Sequence, residues 1–447
     1  MSACKDKYQW CKDEPFVEGT EYCVFHAPKG EKGEGVTPEK FNEKVFKKIN
    51  GVIRENNLPG SKGNKICNLS GTIFEGGISF DKYDKSNPLP ELHFYDATFN
   101  GEADFRNVTF NGEADFFKTT FSGWADFFEV TFSGWADFSY AIFGGEADFL
   151  NATFNGEADF FKTIFNGEAD FRDVTFNGEA EFSSTKFNGG AYFRAGKKGL
   201  FKKGADFINF SVKEKVRFEG VNLEKVSFYD SDLRKADFTN CEWPKKDYRW
   251  LPSFIMRRIR PEYRRNVLYD ENKLFDKRNN KENKIDEGEI EKVEILYRRL
   301  KQKYTDEHDW PEVSNWHYGE KEMYRKGSRF RRFLPFSTSN LYWAFGGYGE
   351  RPVRAGLFLL FLIALISVLT GFTCFEPSSE NYVYEGIIKK SVAYLLNTLQ
   401  YATFQKETIF TPVFGSLWAE AVALFARVII PLQAALFVLA VRNRFRR

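Results

Sequence analysis

Histidine, methionine and cysteine are scarce in this chain, with four, three and six residues among 447. No Ser/His/Asp order stands out and no phosphate-binding glycine loop is present, so no enzymatic activity is expected. The cysteines, at 4, 11, 23, 67, 241 and 374, are too few and too scattered for a disulfide framework, which points to a reducing compartment. The first thirty residues are polar and lack the apolar run of a secretory signal, so the N-terminus is expected in the cytosol. Net charge is nearly absent as well: 64 basic against 62 acidic residues gives +2, which argues against a nucleic-acid binder unless opposed halves cancel. A mean hydropathy of −0.45 excludes a chain largely buried in lipid but permits one or two spans. The length allows two to four domains with ample core.

What the chain has in excess is phenylalanine, 50 residues, of which 30 fall between Cys67 and Phe238. They recur at Phe94, Phe99, Phe105, Phe110, Phe116 and onward to Phe193 in steps alternating five and six, making nine successive 11-residue units. A small or β-branched residue stands two before nearly every one, as at Ala103, Val108, Ala114, Thr119 and Ala125. Further on, Phe218, Leu223, Phe228, Leu233 and Phe238 hold a strict step of five. Such steps would walk around a helix, whereas a coil that turns a corner after each short strand keeps both residues pointing inward. Each ring can then stack on the ring of the next coil. Gly112, Gly123, Gly134, Gly145, Gly156, Gly167 and Gly178 sit beside the extra residue, where a bulge or special turn conformation is expected.

The runs Ala103-Asp104-Phe105, Ala114-Asp115-Phe116, Ala158-Asp159-Phe160 and Ala236-Asp237-Phe238 resemble the pentapeptide-repeat family. The resemblance covers about 67–240 and implies a right-handed quadrilateral β-helix. The 5+6 alternation, an insertion at 81–91 and a break at 194–204 depart from the pattern, so the coils need not form a uniform prism. Some members of the family act as acidic rods that imitate DNA, and residues 91–193 carry 18 acidic and 5 basic side chains. The acids sit at repeat-determined positions such as Glu102/Asp104 and Glu113/Asp115, where a solvated ladder is the simpler reading. DNA mimicry and nucleic-acid binding are therefore disfavoured, and a protein partner on the β-helix is preferred.

Cys4-x6-Cys11-x11-Cys23-x2-His26 at the N-terminus is a tetrahedral donor set suited to a closed, structural zinc site; the alternative is a group of reduced surface thiols with an incidental histidine. After a linker, Thr37 caps a short helix with Pro38 first and Phe41, Val45, Ile49, Val52 and Ile53 on one face.

With −13 in the repeat, the remainder carries +15. Much of it is in Arg257, Arg258, Arg260, Arg264 and Arg265 and in Arg325, Lys326, Arg329, Arg331 and Arg332. The second group precedes an apolar span and is read as attraction to anionic lipid headgroups. Between the groups, Ile290, Val293, Leu296, Tyr297, Leu300 and Tyr304 form one helical face, and Val313, Trp316, His317, Glu320, Met323 and Tyr324 a second; this is a helical hairpin in which His317 packs rather than ligates.

Residues 355–375 are free of charge over 21 positions, about 31 Å as a helix, and residues 416–441 form a second span. Tyr342, Trp343, Phe345 and Tyr348 precede the first as an interfacial belt. Basic flanks place both termini in the cytoplasm of a cell-membrane protein, with 376–415 facing outward. The apolar stretch 391–404 is too short to span and long enough to re-enter. Span, short helix, span resembles two-transmembrane, pore-loop, potassium-channel-like proteins, which implies a homo-oligomer, a tetramer by analogy, and a pore helix carrying Asn397, Thr398, Gln400 and Thr403. A Thr-Val-Gly-Tyr-Gly run is missing, so potassium selectivity is not implied. The Tyr348-Gly-Glu-Arg-Pro352 lead into the first span is similar to that of pentapeptide-repeat membrane proteins. Arg427, mid-span, faces a pore, a cavity or a partner such as Glu420; with Gln433 it is a candidate pore-lining residue.

The sequence thus reads as multidomain: a zinc-binding cap (1–30), linker and amphipathic helix (31–66), β-helix (67–241), basic helical linker with hairpin (242–340) and a two-span α-helical membrane domain with a re-entrant pore helix (341–447). The favoured function is an oligomeric, ion-channel-like membrane protein with a cytoplasmic sensing or scaffold domain. The alternative is a membrane-anchored scaffold that conducts nothing.

Overall fold

Two-residue strands separated by corners are the natural conformation of a chain in which an inward alanine, an outward polar residue and an inward phenylalanine repeat. The computed structural model describes residues 4–59, 65–247, 264–279, 286–327, 337–373, 375–378, 386–406, 408–413 and 416–445. Arg257, Arg258, Arg260, Arg329, Arg331, Arg332, Cys374, Arg446 and Arg447, and the side chains of Arg264 and Arg444, lie outside the described residues. The chain divides into two units, Met1–Ile285 and Asp286–Arg447.

In the first unit the repeat winds into a four-faced parallel β-solenoid of about eight turns. The first face carries eight strands, from Cys67–Asn68 to Val226–Ser227. The second carries seven, from Ile73–Phe74 to Ser211–Val212, and the third eight, from Ile78–Ser79 to Ala236–Thr239. The fourth has four, from Thr109–Phe110 to Thr175–Phe176. Through the regular repeat the register is in steps of 22 residues, as in Ala103↔Ala125↔Ala147, and the last coil closes in 20, Val216↔Ala236. Along the third face Phe105, Phe127, Phe149 and Phe171 stack at 4.8–5.0 Å with planes within 3° of parallel. Within a coil, rings from the opposite first and third faces meet edge to face, Phe105 on Phe116 at 86°. Both geometries suit the aromatic quadrupole, and the column rings from Phe94 to Phe193 are removed from water. The insertion at 81–91 and the break at 194–204 leave the fourth face and rejoin it in register, Leu89 bridging to Phe110 and Phe201 to Phe176.

The repeat aspartate has a task beyond solubility. Its Oδ1 accepts the backbone N–H two residues on, at 2.9 Å for Asp115 to Phe117, 2.7 Å for Asp137 to Ser139 and 2.8 Å for Asp148 to Leu150, which closes each corner. The glycines differ from the expectation of a special turn conformation. The left-handed φ falls instead on Asp96, Asn107, Lys118, Glu129 and their equivalents every eleven residues. Glycine is required by closeness between coils: a Cβ on Gly145 would lie 2.7 Å from the Gly123 carbonyl oxygen.

Both ends of the solenoid are covered. At the N-terminal end helix α1 (Pro38–Asn56), capped by Thr37, lays Phe41, Val45 and Ile49 on the first coil, with Phe41 edge-on to Phe74 at 5.8 Å. At the other end Trp243 closes the ring columns against Phe238, and helix α2 (Tyr269–Asn279) docks through Asp270, which accepts from Ser227 Oγ and the Phe228 amide. Beside it Arg265 is buried in an ion pair with Glu271 at 2.6 Å, so this member of the first basic group serves the fold and is closed to lipid.

The second unit opens with the predicted hairpin, α3 (Glu287–Asp306) and α4 (Trp310–Gly327). Its second face runs through Trp316, Gly319, Glu320 and Met323. Tyr324, expected on that face, is rotated one position past it and is exposed. His317 is half-buried, and burial pushes it down to about 4, so it packs as a neutral ring. Helix α5 (Thr338–Gly346) leads into α6 (Pro352–Phe372), which starts at Pro352, three residues before the predicted span, because proline suits a first helical turn. Helices α7 (Ile387–Ala402) and α8 (Leu417–Phe445) follow. Two segments, Pro352–Phe372 and Leu417–Asn443, are long and apolar enough to cross a membrane.

The aromatic belt packs inward at this junction. Trp343 lies between the Arg325 and Arg354 guanidinium groups, each 4.6 Å from its ring, and Tyr348 is buried on Glu322 and Arg325. Arg325 and Lys326 both pair with Glu322, so these two members of the second basic group are held within the unit. Nearby, Glu350 is buried and accepts from Ser314 Oγ at 2.6 Å, with Tyr342 close by; burial raises its carboxyl to about 7.

Phe149→Ala is expected to destabilise the solenoid by about 4 kcal/mol and Asp148→Ala by about 1 kcal/mol, read by urea unfolding. A carboxyl raised on folding stabilises fully below its unfolded value and loses that contribution as pH rises through the folded one. Between pH about 4.5 and 7 the second unit should therefore weaken as pH rises, by on the order of 3 kcal/mol. Glu350→Gln should flatten this dependence in thermal melts of the whole protein; an unchanged slope would remove Glu350 as its source.

Candidate metal centre and helical site

A helical turn, Cys4–Lys7, and a 3-10 turn, Gln9–Cys11, bring the first two cysteines against a tight turn at Cys23–His26, where the His26 and Ala27 amides donate to the Cys23 carbonyl. All four predicted ligands are buried, and their donor atoms lie within 4.8 Å of one another. That separation approaches the edge of a tetrahedron built on metal–sulfur bonds of about 2.3 Å. The Cys23 amide donates to Cys4 Sγ at 3.2 Å, as an amide does to a thiolate.

The imidazole is fixed from behind. Nδ1 faces Cys23 Sγ at 3.1 Å, while Nε2 lies 2.9 Å from the Ser70 carbonyl, so a proton on Nε2 leaves the Nδ1 lone pair for an ion. Tyr8 stacks on the ring at 4.4 Å, and Trp10 donates to the same Ser70 carbonyl at 3.0 Å. Burial pushes Cys11 up to about 12, raises Cys23 and lowers His26 to about 4. A bound cation reverses this preference for neutral thiols. The residues fit a metal ion, with every ligand supplied by protein. Ser70, Tyr8 and Trp10 escaped the sequence reading, and Ser70, 44 residues from His26, carries no local signal.

In the second unit, α7 packs between α6 and α8. Ser367 Oγ donates to Thr398 Oγ1 at 3.1 Å, and Tyr401 lies among Ile366, Ala423, Ala426 and Ile430. The chain then folds back along α7. Asn397 accepts the Phe410 amide and Gln400 the Ile409 amide, each at 2.9 Å, while Tyr401 donates to the Phe410 carbonyl. The short strand Phe410–Pro412 pairs antiparallel with Phe375–Pro377, at the end of α6. Asn397 and Gln400 therefore converge on this return segment, Thr398 faces Ser367 on α6, and Thr403 caps the end of its own helix through the Leu399 carbonyl and is exposed.

The two residues assigned to a pore differ. Gln433 is buried and donates to the Phe345 and Ala355 carbonyls at 3.0 and 2.9 Å, stapling α8 to α5 and α6. Arg427 is exposed, its guanidinium 4.9 Å from the Tyr401 ring centre, and no carboxylate pairs with it among the described residues.

Residues 94–142, 129–164 and 138–186 match a family model described as pentapeptide repeats of nine copies, and residues 214–242 one described as pentapeptide repeats of eight copies. No curated protein and no solved structure matches the chain. The solenoid is thus a pentapeptide-repeat domain, carried on a chain whose C-terminal unit contains two helices fit to span a membrane.

Proposed function

We propose that this protein is a two-span membrane protein that assembles into an ion-conducting homo-oligomer, with the pentapeptide-repeat solenoid as its cytoplasmic binding domain. The reading is carried by Arg427. It stands ten residues, about 15 Å, into α8 and is exposed on the surface of a single chain. A guanidinium at that depth costs several kcal/mol against hydrocarbon, so water or a second chain must cover it. Two spans cannot enclose an aqueous path alone, which makes the assembly oligomeric. Helix α7 supports the same reading: its 16 residues, about 24 Å, are too short to cross, and its C-terminal end is pinned to a return segment as a re-entrant helix would be. Arg427 groups around an axis would disfavour cations.

A second reading, a membrane-anchored scaffold, is favoured by a separate observation. The Gln433 amide nitrogen and the side-chain oxygens of Asn397 and Gln400 are spent on the chain's own backbone, leaving few groups to line a path. Purified protein in liposomes separates the two. Ion flux is expected, together with a mass above that of a monomer in detergent. Arg427→Ala and Arg427→Glu are expected to shift ion preference severalfold toward cations. A monomer without flux would leave the scaffold.

We also infer that the N-terminal cluster holds zinc, because three thiolates and one imidazole in a closed tetrahedral set match that ion and leave no open position for catalysis. Metal analysis of the whole protein is expected to return one zinc per chain, lost in Cys23→Ser together with protection of the first thirty residues from protease. A folded, metal-free N-terminus in the wild type would overturn the assignment.

A further inference from the structure

The first and third faces of the solenoid carry the same outward acids but are neutralised differently. On the third face Arg106 pairs with Asp104 at 2.8 Å and reaches Asp126 at 3.4 Å, and Arg172 pairs with Asp170. On the first face the positions equivalent to those arginines are Phe117, Ser139, Phe161, Ser183 and Ile208. Among the described residues no cation pairs with Asp137, Asp159 or Glu181 there. Burial, and then the neighbouring carboxylates, raise Asp137 to about 6 and raise Glu181.

This uncompensated column forms part of a groove of about 450 Å³ with built ends. At one end Trp135, 41% exposed and without a ring partner among the described residues, replaces the glutamate found one coil before and after it, at Glu113 and Glu157. At the other, α2 is laid across the face and contributes Tyr269 and Lys273. Glu157 and Glu179 stand exposed along the side. Coils are about 4.8 Å apart, so the three steps from the Trp135 coil to the Asp206 coil span roughly 14 Å.

The chemistry of the groove selects its ligand. Five carboxylates and three lysines line it, an excess of two negative charges. The carboxylates are strung along a line and do not converge as ligands of one ion; among the described residues the convergent set is Cys4, Cys11, Cys23 and His26. We propose that the groove between Trp135 and α2 binds a linear aliphatic polyamine, its ammonium groups on Glu157/Asp159 and Glu179/Glu181 and its methylenes against Trp135 and Tyr269. Three methylenes between nitrogens match the step between coils, and an alkylammonium over an aromatic face is favourable. This site stands whether or not the helical unit conducts.

The test is calorimetric titration of the full-length protein in detergent, at low salt, with 1,4-diaminobutane and spermidine. One site per chain is expected, spermidine binding more tightly. Glu157→Gln combined with Glu179→Gln should weaken binding at least tenfold, and Trp135→Ala at least threefold. Tyr269→Ala, which leaves the repeat untouched, should also weaken it at least threefold. The counterparts on the third face, Glu146→Gln with Glu168→Gln and Trp124→Ala, should leave affinity unchanged. The proposal is overturned by absence of binding at millimolar amine or by equal losses from the third-face variants. It is equally overturned by magnesium binding more tightly than spermidine with no dependence on Trp135, which means a simple divalent-cation surface, or by oligolysine binding more tightly, which means a basic peptide surface.

Discussion

A phenyl ring can lie flat on the ring of the next coil only if each circuit returns to the same place on the same face, as Phe127 to Phe149, Phe193 to Phe218 and Phe218 to Phe238 all do. That single constraint organises the first unit. It sets the 22-residue register, and it forces the insertion at 81–91 and the break at 194–204 outward, so that Leu89 and Phe201 arrive where the fourth column needs them. It also brings the coils so close at the corners that Gly123 and Gly145 have no room for a side chain. Neighbouring coils supply nearly all the contacts, so the ends need lids, and α1, Trp243 and α2 provide them.

Much of this was legible because a spacing of five and six has one economical explanation. The inward phenylalanine and alanine, the capped helix at Pro38 and the hairpin face at Ile290 to Tyr304 all follow from periodicity. What escaped depends on approach between distant segments. Spacing marks where a glycine occurs but not whether φ or crowding demands it, and the left-handed residues include Lys118, Glu129 and Tyr140, none of which advertises the role. Charge behaves likewise: Arg325 and Lys326 read as lipid-facing until Glu322 is seen beside them.

The candidate sites divide along the same line. The four candidate metal ligands were visible in the sequence since they lie within 23 residues, but the Ser70 carbonyl facing His26 Nε2 comes from the first coil. The cluster is thereby tied to the solenoid's own register. In the helical unit, the polar residues of α7 were visible as a set, yet the purpose of Gln400 and Asn397 as acceptors for Ile409 and Phe410 depends on a reversal that hydropathy does not encode. Arg427 stood out from the sequence because charge in an apolar helix needs no partner to be conspicuous.

The stack of rings has a metrical consequence. Adding or deleting one 22-residue coil leaves every remaining ring on a neighbour of the same kind, so the solenoid can change length in whole steps of about 4.8 Å without reworking its interior. Features fixed to different coils, such as Trp135 and the docking point of α2 at Ser227, are thereby held at a distance that is a whole number of coils. The domain is a ruler, and its graduations are set by the thickness of the chain.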